Sequence, residues 1–189
     1  MPLTKVQTGL IEATGTPSST TFLRGDGSWS SAGGITSGTA VSASGTSVDF
    51  TGLPSTVKRI TVMFNSVSLN GSALILVQLG TSSGVTTTGY AGGMALSGNA
   101  VGTQAVTFSN GVQLYGGNTA NITSGAVQFL LLSGNTWVIS GAYGLNGIPY
   151  AGTLGGAIAL ASTLDRVRIT STNGTDAFDA GTINILYES

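Results

Sequence analysis

The chain has 189 residues, of which only 7% are charged, and its formal net charge is −1 at pH 7. A hydrophobic fraction of 41% over this length argues against disorder and is enough to build a buried core. The six Lys and Arg residues form no basic stripe, which argues against a nucleic-acid ligand, and the absence of Cys and His removes disulfides, thiolate nucleophiles and His-based catalysis.

No stretch approaches the ~20 consecutive apolar residues of a membrane-spanning helix. The start, MPLTKVQTGLIE, lacks a basic segment followed by an apolar one, so nothing marks the chain for a secretory route. We therefore expect no membrane insertion.

Residues 1–35 are predicted to form an extended N-terminal arm that is rich in Ser, Thr and Gly. Apolar residues at helical spacing predict a short amphipathic helix within residues 3–13. The second half of the arm holds Phe22, Leu23 and Trp29 in a segment too short and too glycine-rich to bury them by itself.

Residues 36–189 are predicted to form one β-domain, because short runs of Val, Ile, Thr and aromatic residues alternate with Gly, Asn and Ser clusters. Roughly eight to ten strands are expected, which predicts an antiparallel β-sandwich of jelly-roll type. Alternation is clearest in residues 58–68 and 164–171. The residues predicted to face the core there are Ile60, Val62, Phe64, Val167 and Ile169.

Residues 181–188 are predicted to form a final hairpin with residues 164–171, with Ile183, Ile185 and Tyr187 on one side. Asn-Gly pairs, which suit tight hairpin turns, occur at Asn70, Asn110, Asn146 and Asn173.

Two predicted strands, residues 73–80 and 126–134, carry apolar residues on both faces. Leu74 and Leu76 in the first strand, and Leu130 and Leu132 in the second, would be left outside a sandwich core and need a second burial surface. A subunit interface would cover that face, and a loop of the same chain is the alternative.

Hydrolytic chemistry would depend on carboxylates, and Asp176 with Asp179 is the close pair in the β-domain. The same two residues are the candidate ligands for calcium. Because Asp side chains in such Asn- and Gly-rich loops usually bond to local backbone N–H groups, we predict no catalytic residue, no cofactor and no resident metal.

Aromatic rings on loops are common tools of sugar recognition, because they pack against sugar faces. The candidates for ligand loops are Tyr90, Tyr115, Trp137, Tyr143 and Tyr150. Each of them is equally compatible with a place in the core.

The segment GTPSSTTFLRGDGSWS, residues 15–30, resembles a motif that recurs in bacteriophage tail-fibre and related virion fibre proteins. The match covers Gly15, Pro17, Ser18, Thr21, Phe22, Leu23, Arg24, Gly25, Asp26, Gly27 and Trp29. Residues 164–188 resemble the closing hairpin of β-sandwich domains on phage fibres.

This resemblance implies a homotrimer. Three chains around one axis would bury Phe22, Leu23 and Trp29 against one another, and Arg24 and Asp26 would pair between chains and set their register. It also implies that the arm attaches to other virion proteins.

The expected function is therefore that of a non-enzymatic structural protein on the bacteriophage particle surface, assembled in the host cytoplasm. Its head would face outward and recognise host-surface glycans. A capsid decoration or head fibre protein is one alternative, and a glycan-cleaving fibre enzyme acting through Asp176 and Asp179 is another.

Overall fold

A computed structural model describes residues 14–19, 21–31, 33–98, 104–115, 119 and 121–189. The helix predicted within residues 3–13 lies outside the described part of the chain. The chain divides into two compact units, one ending at Gly34 and the other spanning Ile35–Ser189. Within the described residues, no helix is long and apolar enough to cross a membrane.

All regular secondary structure in the described residues is β-strand, so the all-β prediction is confirmed. In chain order the strands are β1 (Thr21–Leu23), β2 (Trp29–Ser31), β3 (Ile35–Ser37), β4 (Val41–Ser42), β5 (Ser47–Thr51), β6 (Arg59–Leu69), β7 (Ile75–Thr81), β8 (Gly84–Val85), β9 (Ala91–Gly98), β10 (Gln104–Phe108), β11 (Val112–Leu114), β12 (Ile122–Ser133), β13 (Thr136–Asn146), β14 (Tyr150–Ala159), β15 (Leu164–Ser171) and β16 (Phe178–Glu188). The strands β3 to β16 outnumber the eight to ten predicted, partly because β3, β4, β8 and β11 have only two or three residues each.

The second unit contains two antiparallel sheets. The large sheet has the order β10, β9, β14, β13, β12, β6, β16, β3, with β4 also paired to β16. The small sheet has the order β11, β7, β15, β5, with β8 paired to β7. Apolar side chains from both sheets form one buried cluster, which is the arrangement of a β-sandwich.

Strand alternation places the predicted core residues correctly. Ile60, Val62 and Phe64 of β6 are buried, as are Val167 and Ile169 of β15. Successive side chains of a strand point to opposite faces, so a period of two in the sequence becomes one buried and one outward face.

The predicted final hairpin is wrong. β15 pairs with β5 and β7 in the small sheet, whereas β16 pairs with β6, β3 and β4 in the large sheet. The connection between them therefore crosses from one sheet to the other. Asn173 shapes this crossing, because its Oδ1 accepts hydrogen bonds from the backbone N–H groups of Thr175 and Asp176, both at 3.0 Å.

Of the four Asn-Gly pairs, only the one at Asn146 joins two strands that pair with each other, β13 and β14. The pairs at Asn70, Asn110 and Asn173 lie in connections between the two sheets. A turn that suits a hairpin locally therefore also serves to change sheets.

The two strands with apolar residues on both faces have different outcomes. Leu76 of β7 is buried by other residues of the same chain, so this strand needs no subunit interface to cover it. In β12, Leu130 and Leu132 remain exposed on 37% and 68% of their surface.

Candidate functional site

The fibre-like motif forms a short β-hairpin. Thr21, Phe22 and Leu23 lie opposite Ser31, Ser30 and Trp29 respectively. The backbone N–H of Gly27 donates to Arg24 O (3.0 Å), and Gly27 has a φ of +79°, which a glycine adopts without strain. This combination of a turn and a following left-handed glycine is typical of short hairpin loops.

A further segment flanks the hairpin. The N–H of Thr14 donates to Gly27 O (3.1 Å), and the N–H of Trp29 donates to Thr14 O (2.8 Å). At Gly15, which has a φ of +93°, an added Cβ would lie 3.0 Å from Trp29 O. The motif thus specifies a compact backbone around Trp29.

The apolar side chains of the hairpin remain largely exposed. Phe22 is 45% exposed and Leu23 is 39% exposed. Leu23 lies opposite Trp29 and shares its face, while Phe22 points to the other face with Ser30. Both faces of this two-stranded sheet therefore present apolar surface.

The two charged residues of the motif occupy the turn. Asp26 Oδ1 accepts hydrogen bonds from Ser28 Oγ (2.7 Å) and Ser28 N (3.0 Å). The bond from the Ser28 hydroxyl, followed by that from the Ser28 N–H, lowers the pKa of Asp26 below its ordinary value. The Asp26 carboxylate thus stabilises the turn, and Arg24 is exposed beside it.

Two of the tyrosines predicted for ligand loops belong to the core. The Tyr90 hydroxyl accepts a hydrogen bond from Leu79 N (2.6 Å), and the Tyr143 hydroxyl accepts one from Tyr115 N (3.0 Å). Burial raises the pKa of both phenols. Buried rings whose hydroxyls bond to the protein interior offer no surface to a ligand.

The remaining aromatic candidates also pack inward. Tyr115 and Tyr150 are half-buried against the core, and Trp137 is fully buried in it. A site built on aromatic rings is therefore not formed by these residues.

Asp176 and Asp179 have separate partners. Asp176 accepts hydrogen bonds from Ala73 N (2.9 Å) and Asn173 Nδ2 (2.8 Å), whereas Asp179 accepts one from the Ser68 hydroxyl. The bond from Asn173, followed by that from Ala73, lowers the pKa of Asp176. Among the described residues no three potential metal ligands of the His, Cys, Asp and Glu types come together.

The outer face of the large sheet carries a feature that the sequence only partly revealed. One cross-strand row at an end of the sheet consists of Ile35, Glu188, Arg59, Leu130, Val138, Ala157 and Ala91, each directly opposite the next. We call these seven residues the end row. Arg59 and Glu188 form an ion pair, and the exposed Ile35, Leu130 and Val138 make the row mainly apolar.

Only β12 of the end row was marked in the sequence, by its apolar residues on both faces. Ile35 and Val138 join Leu130 through strand pairing between distant segments, which a single sequence does not display. No family model, curated protein or solved structure matches the chain.

Proposed function

We propose that the protein is a non-enzymatic structural protein of a bacteriophage particle. In this proposal it is a homotrimer, its N-terminal arm attaches to other virion proteins, and its β-sandwich head faces outward to recognise glycans of the host surface. The observation that carries the proposal is the hairpin of β1 and β2, with exposed Phe22 and Leu23 within a motif similar to that of virion fibre proteins.

An isolated two-stranded hairpin is at best marginally stable in water. This hairpin also exposes large apolar side chains on both faces, so a partner that covers them would stabilise it through the hydrophobic effect. Association of three copies through Phe22, Leu23 and Trp29 supplies such cover without any other protein. In that trimer Arg24 lies next to the buried contacts and helps to set their register, and Asp26 holds the turn.

We further propose that the head is a jelly roll. Its strand pairs are nested along the chain: β4 pairs with β16, β5 with β15, β6 with β12, and β7 with β11. Nested pairing of this kind is what results when a long antiparallel hairpin rolls up into two sheets. β9, β10, β13 and β14 then extend the large sheet beyond the eight-stranded jelly roll.

Light scattering tests the trimer. The full chain should have a mass of about three times 18.8 kDa. Serines in place of Phe22 and Leu23 should reduce that mass, because they remove the apolar contact. Ile148→Ser is the matched control, since Ile148 is also exposed but lies outside both the hairpin and the end row, and it should leave the trimer intact.

A monomeric full chain would refute the trimer. If the trimer persists with both serine substitutions, its interface does not lie in the hairpin, and the end row would be the next surface to mutate.

Binding of the labelled protein to intact bacteria from a panel of strains tests the receptor role. Failure to bind any of them would count against host recognition.

A further inference from the structure

A polar cleft of about 450 Å³ lies on the outer face of the small sheet. Two cross-strand rows form its floor: Ser47, Thr170 and Leu76 in one, and Arg168 and Gln78 in the next. Its volume is within the range of small-molecule sites. None of the residues predicted from sequence to contact a ligand lines it.

The cleft carries no unbalanced charge. Among the described residues that line it, Arg168 is the only one with an ionisable side chain, and it donates from Nε and Nη2 to the two carboxylate oxygens of Asp49, at 2.8 and 3.0 Å. This two-point pairing neutralises the guanidinium and fixes its plane. An anionic ligand therefore finds no free cation here.

Gln78 is a buried polar residue in a strand whose other side chains are mainly apolar. It is 5% exposed, and its Nε2 donates to Asn110 O at 2.6 Å. Gln78 also lines the cleft, so its side-chain amide borders the space that a ligand would occupy. A side-chain amide both donates and accepts, so its Oε1 can accept a hydrogen bond from a ligand hydroxyl.

The remaining lining supplies both hydrogen-bond donors and acceptors. Asn110 Oδ1 accepts a bond from Gln113 Nε2 (3.2 Å), which orients the Asn110 amide and leaves its Nδ2 as a donor. Ser47 and Thr87 contribute hydroxyls, which both donate and accept. Leu76 also lines the cleft, with only 4% of its surface exposed.

We propose that this cleft binds a neutral oligosaccharide. Sugar hydroxyls donate and accept at the same time, so they match a lining that mixes amides and hydroxyls. This inference rests on the proposed function and specifies where the head would contact a glycan of its host.

The test uses the full chain labelled with ¹⁵N and a panel of neutral oligosaccharides of glucose, galactose, mannose and N-acetylglucosamine. Sialylated and sulfated counterparts and a set of short uncharged peptides are the comparison probes. A neutral oligosaccharide should shift the side-chain amide signals of Gln78 and Asn110 and the backbone signals of Arg168 and Thr170.

Two variants obstruct the cleft from different sides, Ser47→Tyr and Thr87→Tyr. Each should weaken binding by about tenfold or more, which corresponds to about 1.4 kcal/mol. Ser140→Tyr is the matched control, because Ser140 is an exposed serine on a strand of the large sheet and its replacement should leave binding unchanged. An amide spectrum of each variant verifies that it is folded.

The proposal is overturned if no neutral oligosaccharide binds, if the shifts fall outside the cleft, or if only the acidic probes or the peptides bind there. Cleft binding by a chain that neither trimerises nor attaches to bacteria would refute the proposed function and leave this site standing. If the chain attaches to bacteria and neither Ser47→Tyr nor Thr87→Tyr weakens that attachment, the cleft is refuted as the glycan site while the proposed function stands.

Discussion

Gly152 and Gly155 of β14 provide a matched test of how the core is packed. Tyr143 lies opposite Gly152 on the neighbouring strand, and its ring covers the position that a Cβ of residue 152 would occupy. A Cβ at Gly155 would instead face open space, with Ile139 O as its nearest neighbour at 3.8 Å. Neither glycine has a positive φ, so backbone strain does not distinguish an alanine at one site from an alanine at the other.

Gly152→Ala should destabilise the fold by about 2 kcal/mol. Overpacking a core costs about 1–3 kcal/mol, and displacing the Tyr143 ring also threatens the hydrogen bond from Tyr115 N, worth about 1 kcal/mol. Replacing a strand glycine by alanine raises the free energy of unfolding by about 0.5–1 kcal/mol, because it lowers the entropy of the unfolded chain. Gly155→Ala gains this stabilisation without overpacking the core, so it should be neutral or slightly stabilising.

Denaturant unfolding monitored by tryptophan fluorescence measures the difference, at one fixed protein concentration because association affects the midpoint. The two variants should differ by about 2–3 kcal/mol in free energy of unfolding at unchanged m-value. Equal midpoints, or a larger loss for Gly155→Ala, would show that Tyr143 does not pack over Gly152.

Two further substitutions test buried and local hydrogen bonds. The pKa of Asp176 is held below 3.8 by the bonds from Asn173 and Ala73, so its stabilising contribution is fully present above pH 3.8 and is lost as the pH falls through the folded-state value. Asp176→Asn should therefore be less stable than the wild type at neutral pH and equally stable in strong acid; a pH-independent difference in free energy of unfolding would contradict this. Tyr90→Phe should cost about 1–3 kcal/mol, because it removes the acceptor of the buried Leu79 N–H. Burial raises the pKa of Tyr90 above its ordinary value of 10. The stabilisation that the buried phenol gives to the fold is therefore fully present below pH 10 and is lost as the pH rises through the folded-state pKa. Phenolate absorbance from Tyr90 that appears near pH 10 would refute its burial.

The composition and the period of two were sufficient to predict an all-β chain and the buried faces of β6 and β15. These features are local, since the side-chain direction in a strand follows from position alone. The pairing of the strands is not local. Residues 164–171 and 181–188 have the same kind of alternation, and nothing in it indicates that β15 and β16 belong to different sheets.

The turn of the hairpin was not predicted from the sequence, although Asp26, Gly27 and Ser28 interact within a few residues of one another. Its apolar side chains could be recognised as unusual for so short a segment. The burial of Tyr90 and Tyr143 in the core could not be predicted, since the groups that bond to their hydroxyls come from distant parts of the chain.

The sequence by itself determined the strand-rich fold class and the core faces of its clearest strands, because each depends on neighbours along the chain. Only the tertiary structure decided the sheet order, the end row and the polar cleft. Asp49 and Arg168 are 119 residues apart and become one ion pair beside Gln78 only when β5, β15 and β7 lie side by side. Strand pairing over such separations depends on the packing of the whole sandwich, which no short stretch of sequence encodes.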